Sequence, residues 1–294
     1  MNIQWYPGHM TKTRRAMQES LNMVDVVIEL LDARIPQSSQ NPDIDQMAQK
    51  KARVVVLNKA DLADPAVTAA WTAAFQKKGY AVVVADSAKG KGVKEAAAAA
   101  IGLMHEKIER QKARGLKNVT IRAMVAGIPN VGKSTFINQA AGKATAKTGD
   151  KPGVTRGKQW IKVRPGFELM DTPGILWPKF EDQTVGQKLA FCGSVSDLVV
   201  DNEALAAELA ARLIVLAPGA YAARYGDEVL TEGEDAGIHS LEALARKRGF
   251  LKKGGSLDTE RAAKILLDEF RGGKLGRISL EKPGEALATE APEA

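Results

Sequence analysis

Short apolar runs alternate with longer amphipathic segments through roughly the first 180 residues of the chain. The apolar runs predict buried β-strands at residues 24–31, 53–57, 80–85 and 120–126, with a further pair at 159–163 and 167–170. Apolar residues spaced three and four apart predict helices at residues 66–78, 93–114 and 132–141. Alternating strands and helices are typical of a mostly parallel sheet with helices on both faces, so we expect an α/β domain.

The strand pattern stops near residue 184, and a sequence rich in Ala and Leu follows. This part predicts helices at residues 203–216, 241–248 and 259–271, separated by turns that contain glycine. The end of the chain is rich in Glu, Pro and Ala, a composition typical of disorder. We therefore expect four regions: an N-terminal segment at 1–23, the α/β domain at 24–183, a small all-helical domain at 184–280 and a disordered tail at 281–294.

Composition favours a globular protein, because 45% of the 294 residues are apolar and 26% are charged. No stretch of 18 uncharged apolar residues occurs, so we expect no membrane span. The opening residues lack the apolar core of a signal peptide, and Cys192 is the only cysteine. We expect a cytoplasmic protein that is monomeric when free.

The formal net charge of +7 is concentrated in two places. Residues 143–164 hold seven Lys and Arg against one acidic residue, and residues 239–280 hold ten against five. Such clusters form either a solvated basic surface or a binding site for a polyanion such as a nucleic acid.

The sequence GIPNVGKS at residues 127–134 lies between a predicted strand and a predicted helix and fits the phosphate-loop pattern G-x-x-x-x-G-K-[ST]. We expect backbone N–H groups to surround phosphates, Lys133 to reach the β- and γ-phosphates, and Ser134 to ligate Mg²⁺. The predicted phosphate contacts are Asn130, Val131, Gly132, Lys133, Ser134 and Thr135.

The sequence NKAD at residues 58–61 follows the second predicted strand and indicates which base is bound. The Asp61 carboxylate can accept hydrogen bonds from N1–H and the 2-amino group of guanine, whereas adenine would leave it unpaired. The methylene stem of Lys59 can cover the purine, and Asn58 can tie this loop to the phosphate loop. Read alone, NKAD has a less favoured alternative, an ordinary polar turn at the end of a strand.

A second loop predicted to contact the purine consists of Ser87, Ala88 and Lys89, after the strand at 80–85. We expect the N–H group of Ala88 to donate to the guanine O6 atom.

Two further motifs complete a GTPase site. In DTPG, at residues 171–174, Asp171 is expected to hold Mg²⁺ through water and the N–H group of Gly174 to bind the γ-phosphate. In PGVT, at residues 152–155, Thr155 is the expected switch residue that brings its hydroxyl and carbonyl groups to Mg²⁺. We therefore predict that Gly174 and Thr155 act in catalysis as well as in binding.

The order of these motifs is unusual. In small GTPases the phosphate loop and DxxG precede NKxD and SAK, whereas here NKAD and SAK come first, so the sequence predicts a circularly permuted GTPase domain. Ligands of a parallel sheet bind at the carboxyl ends of its strands, and permutation preserves that site. It also connects the segment after DTPG directly to the helical region, and we expect movements at the γ-phosphate to be transmitted there.

Particular sequences resemble those of a known family: QWYPGHM at 4–10, DARIP at 32–36, DTPGILWPKFED at 171–182 and GRISLEKP at 276–283. Together with the motif order they resemble the ribosome biogenesis GTPase A (YlqF) family of circularly permuted GTPases, over residues 2–283. The resemblance implies a switch that uses GTP/GDP and Mg²⁺ in late assembly of the bacterial large ribosomal subunit. It implies binding to the subunit precursor and its rRNA in the GTP state, and release after hydrolysis.

The resemblance also implies slow intrinsic hydrolysis that the ribosome stimulates, because Ile175 stands where many GTPases have a water-positioning glutamine. It suggests His9 as the catalytic side chain; the alternative is a surface histidine that packs or contacts RNA. It suggests that Asn130 ligates K⁺, the alternative being that Asn130 only fills the loop. Other functions stay open: a GTPase for the small subunit or tRNA, or a passive RNA-binding protein that its nucleotide stabilises.

Overall fold

The computed structural model describes residues 10–142, 159–174, 176–177, 180 and 182–284. They divide into two compact units. The sheet unit consists of the described residues of Tyr6–Lys179 and Glu281–Glu285, and the helical unit consists of the described residues of Phe180–Leu280.

Six strands of the described residues form a single sheet: β1 (Val26–Asp32), β2 (Ala52–Asn58), β3 (Ala81–Val84), β4 (Ile121–Ala126), β5 (Gln159–Arg164) and β6 (Phe167–Asp171). Their order is β3-β2-β1-β4-β6-β5. All neighbours are parallel except β5 and β6, which form an antiparallel pair. The prediction of a mostly parallel α/β sheet is confirmed.

The centre of the sheet joins the two halves of the permuted sequence. Every residue of β1 is buried, as expected for a nearly continuous apolar run inside a parallel sheet. It pairs with β2 on one side and with β4, which leads into the phosphate loop, on the other. The carboxyl ends of β1, β2 and β4 therefore lie side by side.

The helices of the sheet unit are α1 (Met10–Leu21), α2 (Pro42–Met47), α3 (Pro65–Lys77), α4 (Val93–Gly102), α5 (His105–Ala113) and α6 (Lys133–Ala141). Local sequence explains α3, where the Asp64 side chain caps the first turn and Pro65 occupies its first position. Trp71 and Phe75, one turn apart, pack with Leu57 of β2 in the core.

The predicted helix at residues 93–114 is divided into α4 and α5. The division follows Gly102, a weak helix former, and the Met104 N–H bonds to the Ile101 carbonyl in a tighter turn. No residue of α5 is buried, so packing does not hold it in line with α4.

At both ends of the predicted domain plan, the structure shows packed residues. The segment 1–23 contains α1, which buries Met17 and Leu21 within the sheet unit. The predicted disordered tail begins at residue 281, yet the Glu281 side chain is 4% exposed. Its carboxylate accepts from the N–H groups of Gln37 and Ser38, and its carbonyl accepts from Trp71 Nε1 at 3.1 Å. A buried carboxylate with several donors explains why residue 281 belongs to the packed structure.

The helical unit contains α7 (Gln183–Phe191), α8 (Asn202–Leu216), α9 (Pro218–Tyr225), α10 (Ala236–Lys247) and α11 (Thr259–Arg271), with short 3₁₀ helices at Asp197–Val199 and Asp227–Val229. Asp182 caps α7, two residues before the predicted start of this region. Leu205, Leu209 and Leu213 form the buried stripe of α8, against which α10 and α11 pack.

Among the described residues, no single helix has the length and apolar composition needed to cross a membrane. The pair α8 and α9 meets that criterion only when joined across a bend of 118°.

Candidate nucleotide-binding site

Four of the predicted motifs follow strands at the carboxyl edge of the sheet. NKAD begins at the last residue of β2, Ser87 comes after β3, the phosphate loop follows β4, and DTPG begins at the last residue of β6. These strands run parallel to one another, so their carboxyl ends share one edge. The crevice at that edge is where parallel α/β sheets bind ligands.

The phosphate loop has the backbone needed to surround an anion. Gly132 has φ 101°, a left-handed conformation that favours glycine, and a Cβ atom there would lie 2.5 Å from Asn58 Nδ2. Helix α6 begins at the next residue, Lys133, and no side chain of the described residues caps it. Its first N–H groups are thereby available to a phosphate.

Lys133 lies inside this loop. Its side chain is 7% exposed, and Nζ donates to the carbonyl oxygens of Gly127 at 3.1 Å and Ile128 at 2.7 Å. Burial lowers the pKa of Lys133 to about 8, while the charge of Asp171 acts in the opposite direction. A bound phosphate would favour the charged ammonium more strongly.

Asn58 connects three of the motifs. Its Nδ2 atom donates to the Val131 carbonyl in the phosphate loop at 2.7 Å. Its Oδ1 atom accepts from the N–H group of Ser87 at 3.1 Å and from the Ser87 hydroxyl at 2.7 Å. Asn58 is 1% exposed, so these bonds form away from water. They hold the loops for base and phosphates against each other.

The predicted base-reading residues lie beside these bonds. The ammonium of Lys89 lies 3.8 Å from Asp61 Oδ2 and 3.2 Å from Asp86 Oδ2. About a third of the Asp61 side chain is exposed, which leaves its carboxylate accessible to a ligand. Ala88 is exposed, and its carbonyl accepts from Gln139 Nε2 of α6 at 3.4 Å.

Lys59 has an ion-pair partner that the motif pattern did not reveal. Its ammonium lies 3.3 Å from Oδ2 of Asp32, the last residue of β1. Arg34 also contacts this carboxylate, with Nη2 2.7 Å from the same oxygen. Asp32 and Arg34 are each 1% exposed. The sequence signal that could have revealed this ion pair is a carboxylate at the end of a strand that is predicted to be buried, since a buried charge needs a partner.

DTPG lies directly beside the phosphate loop. Asp171 pairs in register with Val125 of β4, and Thr172 Oγ1 donates to the Val125 carbonyl at 2.6 Å. A Cβ atom on Gly174 would lie 2.8 Å from Lys133 Nζ. The structure thus brings together the described members of the predicted site. His9 and Thr155 lie outside the described residues.

The donor chemistry at this edge fits Mg²⁺. Ser134 supplies a hydroxyl at the start of α6, and Asp171 supplies a carboxylate that is 3% exposed. Magnesium in phosphate-binding sites takes few protein oxygens and completes its shell with phosphates and water. The charge of Asp171 acts on Lys133, the residue expected to reach the phosphates.

A parallel sheet with these motifs in this order defines a class, the circularly permuted P-loop GTPases. Comparison with known proteins agrees, since residues 122–216 match the family model described as "50S ribosome-binding GTPase". The chain is 47% identical to Ribosome biogenesis GTPase A of Bacillus cereus over 97% of its length and 95% of that protein. It is 32% identical to the Thermotoga maritima protein of that name, over 96% and 95% of the two chains.

Solved structures show the same likeness. The structure of GNP-bound YlqF from T. maritima superposes with a TM-score of 0.65 and 29% identity, covering 94% of this chain and all of that one. The chain belongs to the ribosome biogenesis GTPase A family, and it is a GTPase.

Proposed function

We propose that this protein is a GTP-hydrolysing switch for late assembly of the bacterial large ribosomal subunit in the cytoplasm. In the GTP state it binds the subunit precursor and its rRNA, and hydrolysis releases it. The observation that carries the nucleotide part is the Asn58 side chain, bonded to Val131 of the phosphate loop and to Ser87 of the second purine loop. These bonds hold together motifs that are far apart in sequence, which supports a single nucleotide site.

Guanine is read by Asp61 and Ala88. The Asp61 carboxylate accepts from the N1–H and 2-amino groups, and the exposed Ala88 N–H donates to O6. Adenine offers neither donor to Asp61, so the carboxylate would lose water without gaining a partner. This asymmetry makes GTP the preferred nucleotide.

The triphosphate is held by the phosphate loop and α6. Lys133 exchanges its carbonyl partners for the β- and γ-phosphates, and Gly174 donates its N–H to the γ-phosphate. Ser134 and Thr155 would hold Mg²⁺ directly and Asp171 would hold it through water, and the ion would neutralise charge on the phosphates. Asn130, which has a left-handed backbone conformation with φ 57° in the middle of the loop, is the residue proposed to hold K⁺. Turnover in KCl compared with NaCl tests that role, and equal rates would exclude it.

Catalysis is completed by the partner. Ile175 and Leu176 follow DTPG, and neither orients the attacking water because their side chains cannot form hydrogen bonds. Leu176 is also fully buried. His9 is the proposed catalytic group, brought to the γ-phosphate when the protein binds the precursor. Stimulation of about 10⁵-fold is the scale known for partner-activated GTPases.

Support for the ribosomal partner comes from the names of the relatives and of the family model. The mouse relative, 33% identical over 95% of this chain and 90% of that protein, is named Mitochondrial ribosome-associated GTPase 1. The excess of Lys and Arg in residues 239–280 supplies charge for rRNA phosphates.

Co-sedimentation tests the proposal. The full-length protein, monomeric when free, is centrifuged through sucrose gradients with immature large subunits, in parallel with GTP, a non-hydrolysable analogue or GDP. We expect it to move with the particle in the GTP and analogue states and to stay at the top with GDP. Small subunits and tRNA serve as matched controls, and preferential binding to either would overturn the assignment of the partner.

A further inference from the structure

The Lys59 side chain is held at both of its ends, and the group that holds its tip lies on a different strand. We propose that Asp32 is a positioning residue for guanine binding. Asp32 fixes the Lys59 ammonium, so that the methylene groups of Lys59 pack against the face of the purine. This inference rests on the proposed guanine site, and it assigns to Asp32 a role in nucleotide affinity.

The backbone end of Lys59 is set by its neighbours. Its φ is 57°, a left-handed conformation that is uncommon for a residue with a long side chain. The Lys59 carbonyl accepts from Leu62 N at 2.9 Å, and Ala60 N donates to the Ala85 carbonyl at 3.0 Å. Backbone outliers held in this way are concentrated at binding sites.

The other end is set by Asp32. In the sheet, Asp32 of β1 lies opposite Asn58 of β2, and Ala33 N donates to the Asn58 carbonyl at 2.8 Å. This register places the Asp32 carboxylate beside the residue that follows Asn58. Its Oδ2 atom then lies 3.3 Å from Lys59 Nζ.

The Asp32 carboxylate is itself immobile. Oδ1 accepts from Arg34 N at 3.1 Å and Arg34 Nε at 2.9 Å, and Oδ2 accepts from Arg34 Nη2 at 2.7 Å. The Asp32 N–H donates to Ser39 Oγ at 3.0 Å. Burial by itself would raise the pKa of Asp32, but Arg34 and Lys59 outweigh it and hold that pKa well below its usual range. The anchor therefore keeps its charge at every physiological pH.

The contact between Asp32 and Lys59 changes how much the packing of a base on Lys59 contributes to binding affinity. A free lysine side chain has many rotamers and loses that freedom when a purine packs on it. A side chain already fixed at both ends has less freedom to lose, so the same contact contributes more to affinity. A quarter of the Lys59 side chain is exposed, so part of it is accessible to a ligand.

A double-mutant cycle tests the role. GDP affinity of the full-length protein is measured by calorimetry for wild type, Asp32→Asn, Lys59→Met and the double variant. We expect Asp32→Asn to weaken GDP binding about fivefold, on the scale of one partly exposed ion pair, and to change it less than about twofold in the Lys59→Met background. Equal losses in both backgrounds would show that Asp32 acts only on the fold and would overturn the proposal.

Base selectivity supplies a second readout. Inosine diphosphate lacks the 2-amino group that Asp61 reads but presents the same ring system to Lys59. Asp32→Asn should weaken the binding of both diphosphates by the same factor. The substitution changes the position of the Lys59 side chain and leaves the hydrogen bonds between Asp61 and the edge of the base intact. A changed ratio would contradict a role through Lys59.

The Asp32→Asn variant leaves Arg34 buried with a weakened partner and can fail to fold. The variant Asp32→Asn with Arg34→Met removes both charges, and its unfolding is followed without nucleotide to show that it is folded. It should retain the weakened GDP affinity, and wild-type affinity would refute the proposal. If wild type itself binds ADP as tightly as GDP, the guanine site fails and not merely the role of Asp32.

Discussion

Gly174 and Lys133 approach so closely that a Cβ atom on the glycine would lie 2.8 Å from the lysine Nζ atom. The same Cβ would lie 2.8 Å from the Cα atom of Pro129, which is backbone and cannot rotate away. The segment that follows β6 therefore rests against the phosphate loop, at the position proposed for the γ-phosphate. The absence of a side chain at residue 174 is a requirement of this packing.

Replacing Gly174 by Ala should impair hydrolysis more than GDP binding. The added methyl group forces the two segments apart, which displaces the N–H group proposed to contact the γ-phosphate. We expect the turnover number to fall about tenfold or more, since catalytic geometry tolerates little displacement. Gly102→Ala is the matched control, because nothing lies within 4 Å of that position. Unchanged turnover in Gly174→Ala would contradict the proposed role.

Glu29 should make stability depend on pH near neutrality. Burial raises its pKa to about 7 from 4.5, although Arg53 beside it acts in the opposite direction. Between these values the folded state binds the proton and the unfolded chain has released it. The free energy of unfolding should fall as pH rises through this window, by up to about 3 kcal/mol.

Urea unfolding at several pH values measures this effect. Glu29→Gln should remove the decline, whereas Glu208→Gln, at an exposed position, should keep it. A wild-type stability that rises over the same window would show that Glu29 stays ionised in the folded state.

Glu281 should mark where the stabilising part of the chain ends. A chain that stops after Gly284 should unfold at the wild-type temperature, in keeping with the predicted tail, whereas one that stops after Leu280 should be less stable. Glu281→Ala should cost about 1–3 kcal/mol, because it leaves the buried N–H group of Ser38 and the half-buried N–H group of Gln37 without their acceptor. Calorimetric melting of the three variants provides the comparison.

His9→Ala should separate binding from stimulated catalysis. We expect GTP affinity and slow intrinsic turnover to stay as in wild type, while stimulation by immature large subunits disappears. His105→Ala is the control, since His105 is exposed at the start of α5. Full stimulation of His9→Ala would assign the histidine to packing or RNA contact instead.

Trp177 should report movement after DTPG. It follows Gly174 by three residues, so a γ-phosphate that draws in the glycine should change the surroundings of the indole. We expect the emission spectrum to differ between the GDP state and the state with a non-hydrolysable GTP analogue. Trp177→Phe should abolish that difference. An identical difference in Trp177→Phe would place the change at another tryptophan.

Most of the sheet could be predicted from local pattern. Buried parallel strands are continuous apolar runs, and all six predicted strands occur within a few residues of their expected bounds. Helix ends were harder to predict. The break between α4 and α5 occurs where α5 has no buried residue to hold it in line with α4, and the sequence pattern does not show which residues are buried. Helix α2 was missed since its six residues show little periodicity, and only Asn41 and Pro42 mark its start.

The sequence by itself predicted the chemistry of the site, because the phosphate loop, the carboxylate proposed to read guanine and the order of the motifs can all be read from short contiguous stretches of the chain. Tertiary structure alone decided which distant groups meet. Asp32 reaches Lys59 through the register of β1 on β2, and Glu281 reaches Ser38 across 243 positions of sequence. Such partners leave no local pattern, because a buried charge requires only an opposite charge or donor nearby in space, wherever in the chain it originates.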